Sequence, residues 1–247
     1  MTALVLALIA GAVVGLALGA LGGGGSVLAV PALIYLLGFT PSAATAASLI
    51  IVAATSATAL YAHARDGHVA WKVGLLFVAA GIIPAYLAGA AAGRVPEAVL
   101  TVAFAVIAAL AAVRMFRPSS SRPPRRIRPG RAAGAGAGLG AVTGFLGVGG
   151  GFLAVPALVS VLGLTMRRAV GTSLLVITVN SLAALIARTG TGGGLDWALI
   201  GPFTGAAILG AWDGRRLSVG VSGDSLQKVF AGVLLAVALF MLIDVIA

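Results

Sequence analysis

Two glycine runs are the residues with chemistry to offer. Gly22, Gly23, Gly24 and Gly25 precede Ser26, and Gly147, Gly149, Gly150 and Gly151 surround Val148. Each run opens a short apolar stretch with a proline inside it, 27–38 with Pro31 and 152–163 with Pro156. One glycine costs about 1 kcal/mol in a helix interior, so a run of them breaks a helix. The helix that restarts exposes amide N–H groups and a positive dipole end, which suit an anion without a buried arginine. Ser26, Ser48, Thr172, Ser173 and Asn180 are hydrogen-bonding additions, and with the eight glycines they form the candidate substrate-binding set. The plainer readings are that glycines permit close helix packing and that hydroxyls bond their own helix backbone.

Other chemistry finds little support. There is no cysteine, so thiolate metal sites and cysteine nucleophiles are excluded, and no metal is expected. The two histidines, His63 and His68, flank Arg65 and Asp66 and are expected to sit solvated at a helix end. Asp244 falls in the last apolar run, close enough to the end to reach an interface. No nucleophile–base pair stands out, so no catalytic residue, enzyme activity or cofactor is expected. The glycine runs lack the Gly-Lys-Ser/Thr of a nucleotide loop.

The elements that must position these residues are apolar. Hydrophobic residues make up 60% and charged residues 9%, with mean hydropathy +1.14. A soluble domain carries roughly 25% charged residues, so this chain is solvated by lipid instead. Apolar runs cover about 3–21, 26–38, 43–62, 69–92 and 97–113, then 132–147, 152–164, 169–187, 195–212 and 226–246. Most can cross about 30 Å of hydrocarbon, while the two that follow the glycines, with about a dozen residues, reach only about 18 Å.

The chain repeats itself. Residues 15–49 align without gaps on 140–174, at an offset of 125, with 18 of 35 positions identical. Both copies carry Leu-Gly-x-Thr (Leu37, Gly38, Thr40; Leu162, Gly163, Thr165), and Trp71 matches Trp197. The organisation expected is a first transmembrane repeat over 1–116, a basic cytoplasmic linker over 117–131 and a second repeat over 132–247.

Arginine placement selects the topology. The stretch 114–131 holds seven arginines and no acid, which places it in the cytoplasm. If each first helix and short segment form a hairpin, each half crosses an odd number of times and the halves are inverted. Arg65, Arg167, Arg168, Arg215 and Arg216 then also lie inside, leaving Arg94 and Arg188 outside. If the short segment continues the first helix, the halves are parallel and four more arginines fall outside. The positive-inside rule favours inversion, with both termini extracytoplasmic. The expected fold class is therefore all-α integral membrane. It has two inverted repeats of about five helical segments each, whose glycine-broken first helices form half-membrane hairpins, a plan that recurs in transporters.

The two Leu-Gly-x-Gly-Gly-x-x-x-x-Val-Pro runs, Gly171-Thr172-Ser173-Leu174 and Gly194-Leu195-Asp196-Trp197 resemble the TauE/SafE sulfite exporter family. The resemblance implies an inner-membrane permease for a small sulfur-containing anion, sulfite or an organosulfur anion such as a sulfonate. It places the motif on Gly22, Gly23, Gly24, Gly25 and Ser26 and on 147–151, with Pro31 and Pro156. The first copy departs from the pattern, with Ala46-Ala47-Ser48 where the second has Gly171-Thr172-Ser173. The expected partners are the anion and the lipid bilayer, with a second copy of the chain as a candidate and no nucleic acid. An anion-selective channel and a non-transporting membrane scaffold are the alternatives.

Overall fold

The computed structural model describes residues 2–92, 97–116, 129–146, 151–187 and 196–246. Among these residues there are ten α-helices and no strand. The first half of the chain holds α1 (Thr2–Leu21), α2 (Gly24–Pro31), α3 (Pro41–Arg65), α4 (Trp71–Ala92) and α5 (Glu97–Phe116). The second half holds α6 (Pro129–Leu146), α7 (Gly151–Ser160), α8 (Met166–Ala187), α9 (Trp197–Gly220) and α10 (Gly223–Ile246). Pro31 lacks the N–H that an α-helix would use, and α2 continues beyond it as a π-helical turn, Ala32–Leu36. Thr2–Leu21, Ala43–Arg65, Trp71–Ala88, Met166–Ile186 and Gly223–Ile243 are long and apolar enough to cross a membrane. Their outer faces are apolar too: Ile83, Ile186 and Leu209 are about 70% exposed, as lipid contact requires.

The shared Leu-Gly-x-Thr is a helix stop followed by a helix start. Gly38 and Gly163 take φ of +69° and +68°, a left-handed conformation that costs glycine nothing. The amide after each turns back on the helix, Phe39 N–H to the Leu33 carbonyl at 3.1 Å and Leu164 N–H to Leu158 at 3.0 Å. Thr40 then caps α3, its Oγ1 accepting from the Ala43 amide at 3.4 Å.

The two halves pack by exchange. The first helix of each lies on the fourth of the other, α1 on α9 and α6 on α4. Second packs on second (α2 on α7), third on third (α3 on α8) and fifth on fifth (α5 on α10). Small residues make the α1–α9 and α6–α4 contacts. Gly11, Gly15 and Gly19 press on the backbones of Phe203, Ala207 and Ala211, so α1 and α9 run in the same direction. Gly136 and Gly140 press on Phe77 and Gly81, so α6 and α4 do likewise. Lipid tails are as apolar as leucine, so helices gain from close backbone approach and its dispersion contacts. The third helices cross in opposite directions. Thr178 Oγ1 meets Ser56 Oγ at 2.9 Å near mid-helix, while His63 at the end of α3 and Arg167 and Val170 at the start of α8 line one void.

A Cβ at Gly15 would overlap the Ala207 carbonyl, whereas a Cβ at Gly138 has nothing within 4 Å. Overpacking a tight contact costs about 1–3 kcal/mol. Gly15→Val is expected to lower the melting temperature in detergent by several degrees and Gly138→Val to leave it within a degree or two, as read by a thiol-free thermal-shift assay.

Candidate functional site

Gly22 ends α1 with φ of +73°, and its amide closes on the Leu18 carbonyl at 2.8 Å. The chain then turns back on itself. A Cβ on Gly25 would meet Leu18 and Val14 of α1, so α2 folds down along the helix it has just left. Gly23, at the N-terminal cap of α2, touches the backbone of Gly151 and Phe152, where α7 begins. The starts of the two proline-containing short helices therefore meet, one from each half. Ser173 of α8 completes this meeting point: a Cβ on Gly22 would lie 2.5 Å from its Oγ and 3.3 Å from Val155 Cγ2. The broken backbone is thus enclosed by protein, the condition under which a membrane tolerates it.

Gly22, Gly23, Gly151 and Ser173 are brought together, and Gly25 lies just behind them against α1. The break is narrower than the sequence suggests, because Gly24 and Gly25 are already helical and only Gly22 and Gly23 form the turn. Ser26 lies in α2, but its side chain is outside the described part of the structure, as are residues Gly147, Gly149 and Gly150. Ser48 does what a hydroxyl in a helix commonly does, donating to the Thr45 carbonyl at 2.8 Å. Ser173 donates likewise to Val170 at 2.8 Å, with its Oγ on the Gly22 side. Thr172 is engaged elsewhere: its Oγ1 accepts from the Ala70 amide at 3.0 Å and so satisfies an N–H ahead of α4.

Asn180 stands apart from the meeting point. It lines a crevice of about 380 Å³ between α4, α6 and α8, with Phe77, Tyr86 and Thr143 among its walls. That volume suits a small ligand, and the walls are apolar with few polar groups, as binding pockets usually are. Thr143 Oγ1 is bonded to the Gly140 carbonyl at 3.3 Å, and the Asn180 amide and the Tyr86 phenol are the other polar side chains of this crevice. The corresponding place in the other half, between α9, α1 and α3, is packed. Thr55, which matches Asn180 in the repeat, is 1% exposed, and its Oγ1 has no hydrogen-bond partner among the described residues. At this pair of positions the two halves thus differ in exposure as well as in sequence.

Sequence reasoning missed a polar cluster at the end of α3. His63 is buried, 4% exposed, which corrects the expectation of a solvated histidine. Its Nε2 lies 3.2 Å from the Gly19 carbonyl, one of the helix-end acceptors that α1 leaves open. Next to it Asp66 takes two bonds from Arg215 of α9, at 2.9 and 3.1 Å, joining the two halves. This pair is about a quarter exposed and contributes up to about 1 kcal/mol. Arg167 Nη2 donates to the Val221 carbonyl at 3.3 Å on the same side. Asp66 was visible in the sequence, but nothing local in it points to an arginine 149 positions away.

Residues 7–241 match the family described as "Sulfite exporter TauE/SafE". The chain belongs to this family. It is 34% identical over 243 residues to a probable membrane transporter protein of Xylella fastidiosa (strain 9a5c), covering 94% of this chain and 92% of that one. It is 26% identical over 246 residues to the probable membrane transporter protein YunE of Bacillus subtilis (strain 168), covering 88% of this chain and 86% of that protein. No solved structure matches the chain. A TauE/SafE-family chain is an integral membrane transporter, so its apolar outer faces meet lipid and its meeting of short helices lies inside a transport protein.

With no native cysteine, a single introduced thiol reports its own accessibility. Asn180→Cys is expected to react with a small maleimide in membranes at least ten times faster than Thr55→Cys; equal rates would mean that the two halves have the same openness.

Proposed function

We propose that this protein is a secondary transporter for a small sulfur-containing anion, sulfite or an organosulfur anion such as a sulfonate, working by alternating access. The observation that carries the reading is the meeting of α2 and α7 at their starts, Gly23 against Gly151 and Phe152 with Ser173 beside Gly22. Two positive helix ends from different halves converge there, and a helix N-terminus suits an anion. In this reading Gly22, Gly23, Gly24, Gly25, Ser26, Gly147, Gly149, Gly150, Gly151 and Ser173 hold the substrate. Asn180 belongs to the route that reaches them.

The halves, 1–116 and 132–247, are inverted repeats joined by the cytoplasmic linker 117–131. The opposite crossing of α3 and α8, which are equivalent helices, supports this. If equivalent membrane-crossing helices run in opposite directions, the halves insert in opposite orientations. The sharp reversal of α1 into α2 also supports it, because it supplies the odd number of crossings. Both termini are then outside and Arg65, Arg167 and Arg215 inside, on the inner membrane of the cell. The open crevice at Asn180 and the packed place at Thr55 support one access route being open while its mirror is shut.

The test is a flux assay in proteoliposomes with sulfite, thiosulfate, sulfoacetate, methanesulfonate and sulfate. Saturable flux of at least one sulfur anion is expected. Ser173→Ala removes a hydroxyl that must leave the Val170 carbonyl to donate to the anion, a net bond of about 0.5–1.5 kcal/mol, and is expected to raise KM about two- to tenfold with the protein still monodisperse. Absence of flux for every anion sinks the transport reading, and an unchanged KM sinks the site.

A further inference from the structure

We propose that His63 is the proton-binding group that couples proton movement to anion movement in this transporter. This rests on the transport reading above and adds the coupling ion to it.

The tautomer is fixed by chemistry. The Gly19 carbonyl can only accept, so the His63 ring carries its proton on Nε2, 3.2 Å away. Nδ1 is then a lone-pair acceptor, and it has no partner among the described residues although the ring is 96% buried. A buried acceptor without a partner carries a desolvation cost of about 1–3 kcal/mol, so this one favours a donor, a water or a proton, reaching it. The ring lines a void of about 10 Å³ together with Ala20, Asp66, His68, Arg167, Val170, Ser218 and Leu226. Val170 also touches Gly22, so this void lies directly beside the turn where the two short helices meet.

The titratable and charged groups facing the ring come from three elements. Asp66 and His68 follow α3, Arg167 comes from α8 and Arg215 from α9, while α1 and α10 present only Ala20 and Leu226. Asp66 and Arg215 offset each other in their ion pair, and Arg167 also lines the void. A proton on Nδ1 adds a positive charge to the ring and turns Nδ1 into a donor. An anion entering the opened void balances that charge and accepts that bond. Anion and proton therefore favour each other's binding, and by linkage the effect is reciprocal. In the arrangement observed the void holds about one water's volume, so an anion enters only when it widens. The proton enters from one aqueous face and leaves to the other with the anion. The bond to Gly19 ties the ring to the last turn of α1, so protonation and the broken helix move together.

Methanesulfonate is the suitable probe, because it stays a monoanion across the working pH range and hides no proton of its own. In proteoliposomes with a one-unit pH gradient, one-to-one coupling predicts about tenfold accumulation. His63→Gln, whatever its absolute rate, is expected to bring the ratio of flux with and without the gradient to one. The second readout needs no change at His63. With only two histidines in the chain, ¹⁵N-histidine spectra of His68→Gln in nanodiscs report a single ring. Saturating methanesulfonate is expected to convert it from the Nε2–H form to imidazolium. A ring unchanged by the anion, or His63→Gln that still accumulates methanesulfonate about tenfold, overturns the proposal. Absence of flux for every anion in both proteins overturns the transport reading, and this one with it.

Discussion

The structure depends on one constraint: a backbone broken inside a membrane must be enclosed by protein. Lipid offers no hydrogen bond, so each unpaired N–H or C=O there costs several kcal/mol. The chain meets this by bringing the starts of its two short helices together. Gly22 and Gly23 turn α1 back on itself, and the turn is covered by Gly151, Phe152, Val155 and Ser173 from the other half. Only residues without side chains, or with small ones, permit that approach. The pairing of helices across the halves then follows, because each break needs its partner half as cover.

The exchange of first and fourth helices does the rest of the holding. Gly11, Gly15 and Gly19 on one side and Gly136 and Gly140 on the other bring helix backbones into contact along parallel lines. These ladders are packing, as small residues in membranes usually are. They also leave α3 and α8 free to cross at Ser56 and Thr178 near the centre, so the third helices carry polar groups between two tightly packed pairs. The same geometry leaves an open crevice at Asn180 and a buried side chain at Thr55 in the matching place.

Much of this was legible in the sequence because it is local or repeated. The matched glycine and proline runs identified the short helices, and Leu-Gly-x-Thr marked the stops at Gly38 and Gly163 and the starts after them. The extent of the break was overread, since glycines at the start of a helix lose far less than glycines in its interior, and Gly24 and Gly25 are helical. The roles that escaped reading depend on distant partners. His63 is buried because a carbonyl 44 positions earlier needs a donor, and Thr172 is engaged by an amide 102 positions earlier. Asn180 was recognisable as a polar residue in an apolar run, but its place in a crevice between three helices follows from packing alone.

Transport through two facing short helices requires inverted halves, and the most direct measurement of inversion is sidedness at two equivalent positions. Thr40 and Thr165 occupy the same place in the two repeats, just ahead of α3 and α8, and both are exposed. In this cysteine-free chain, Thr40→Cys and Thr165→Cys can be labelled one at a time with a membrane-impermeant maleimide. Inversion predicts that Thr40→Cys reacts only from outside the cell and Thr165→Cys only once the cytoplasmic face is exposed. Labelling of both from the same face would contradict it.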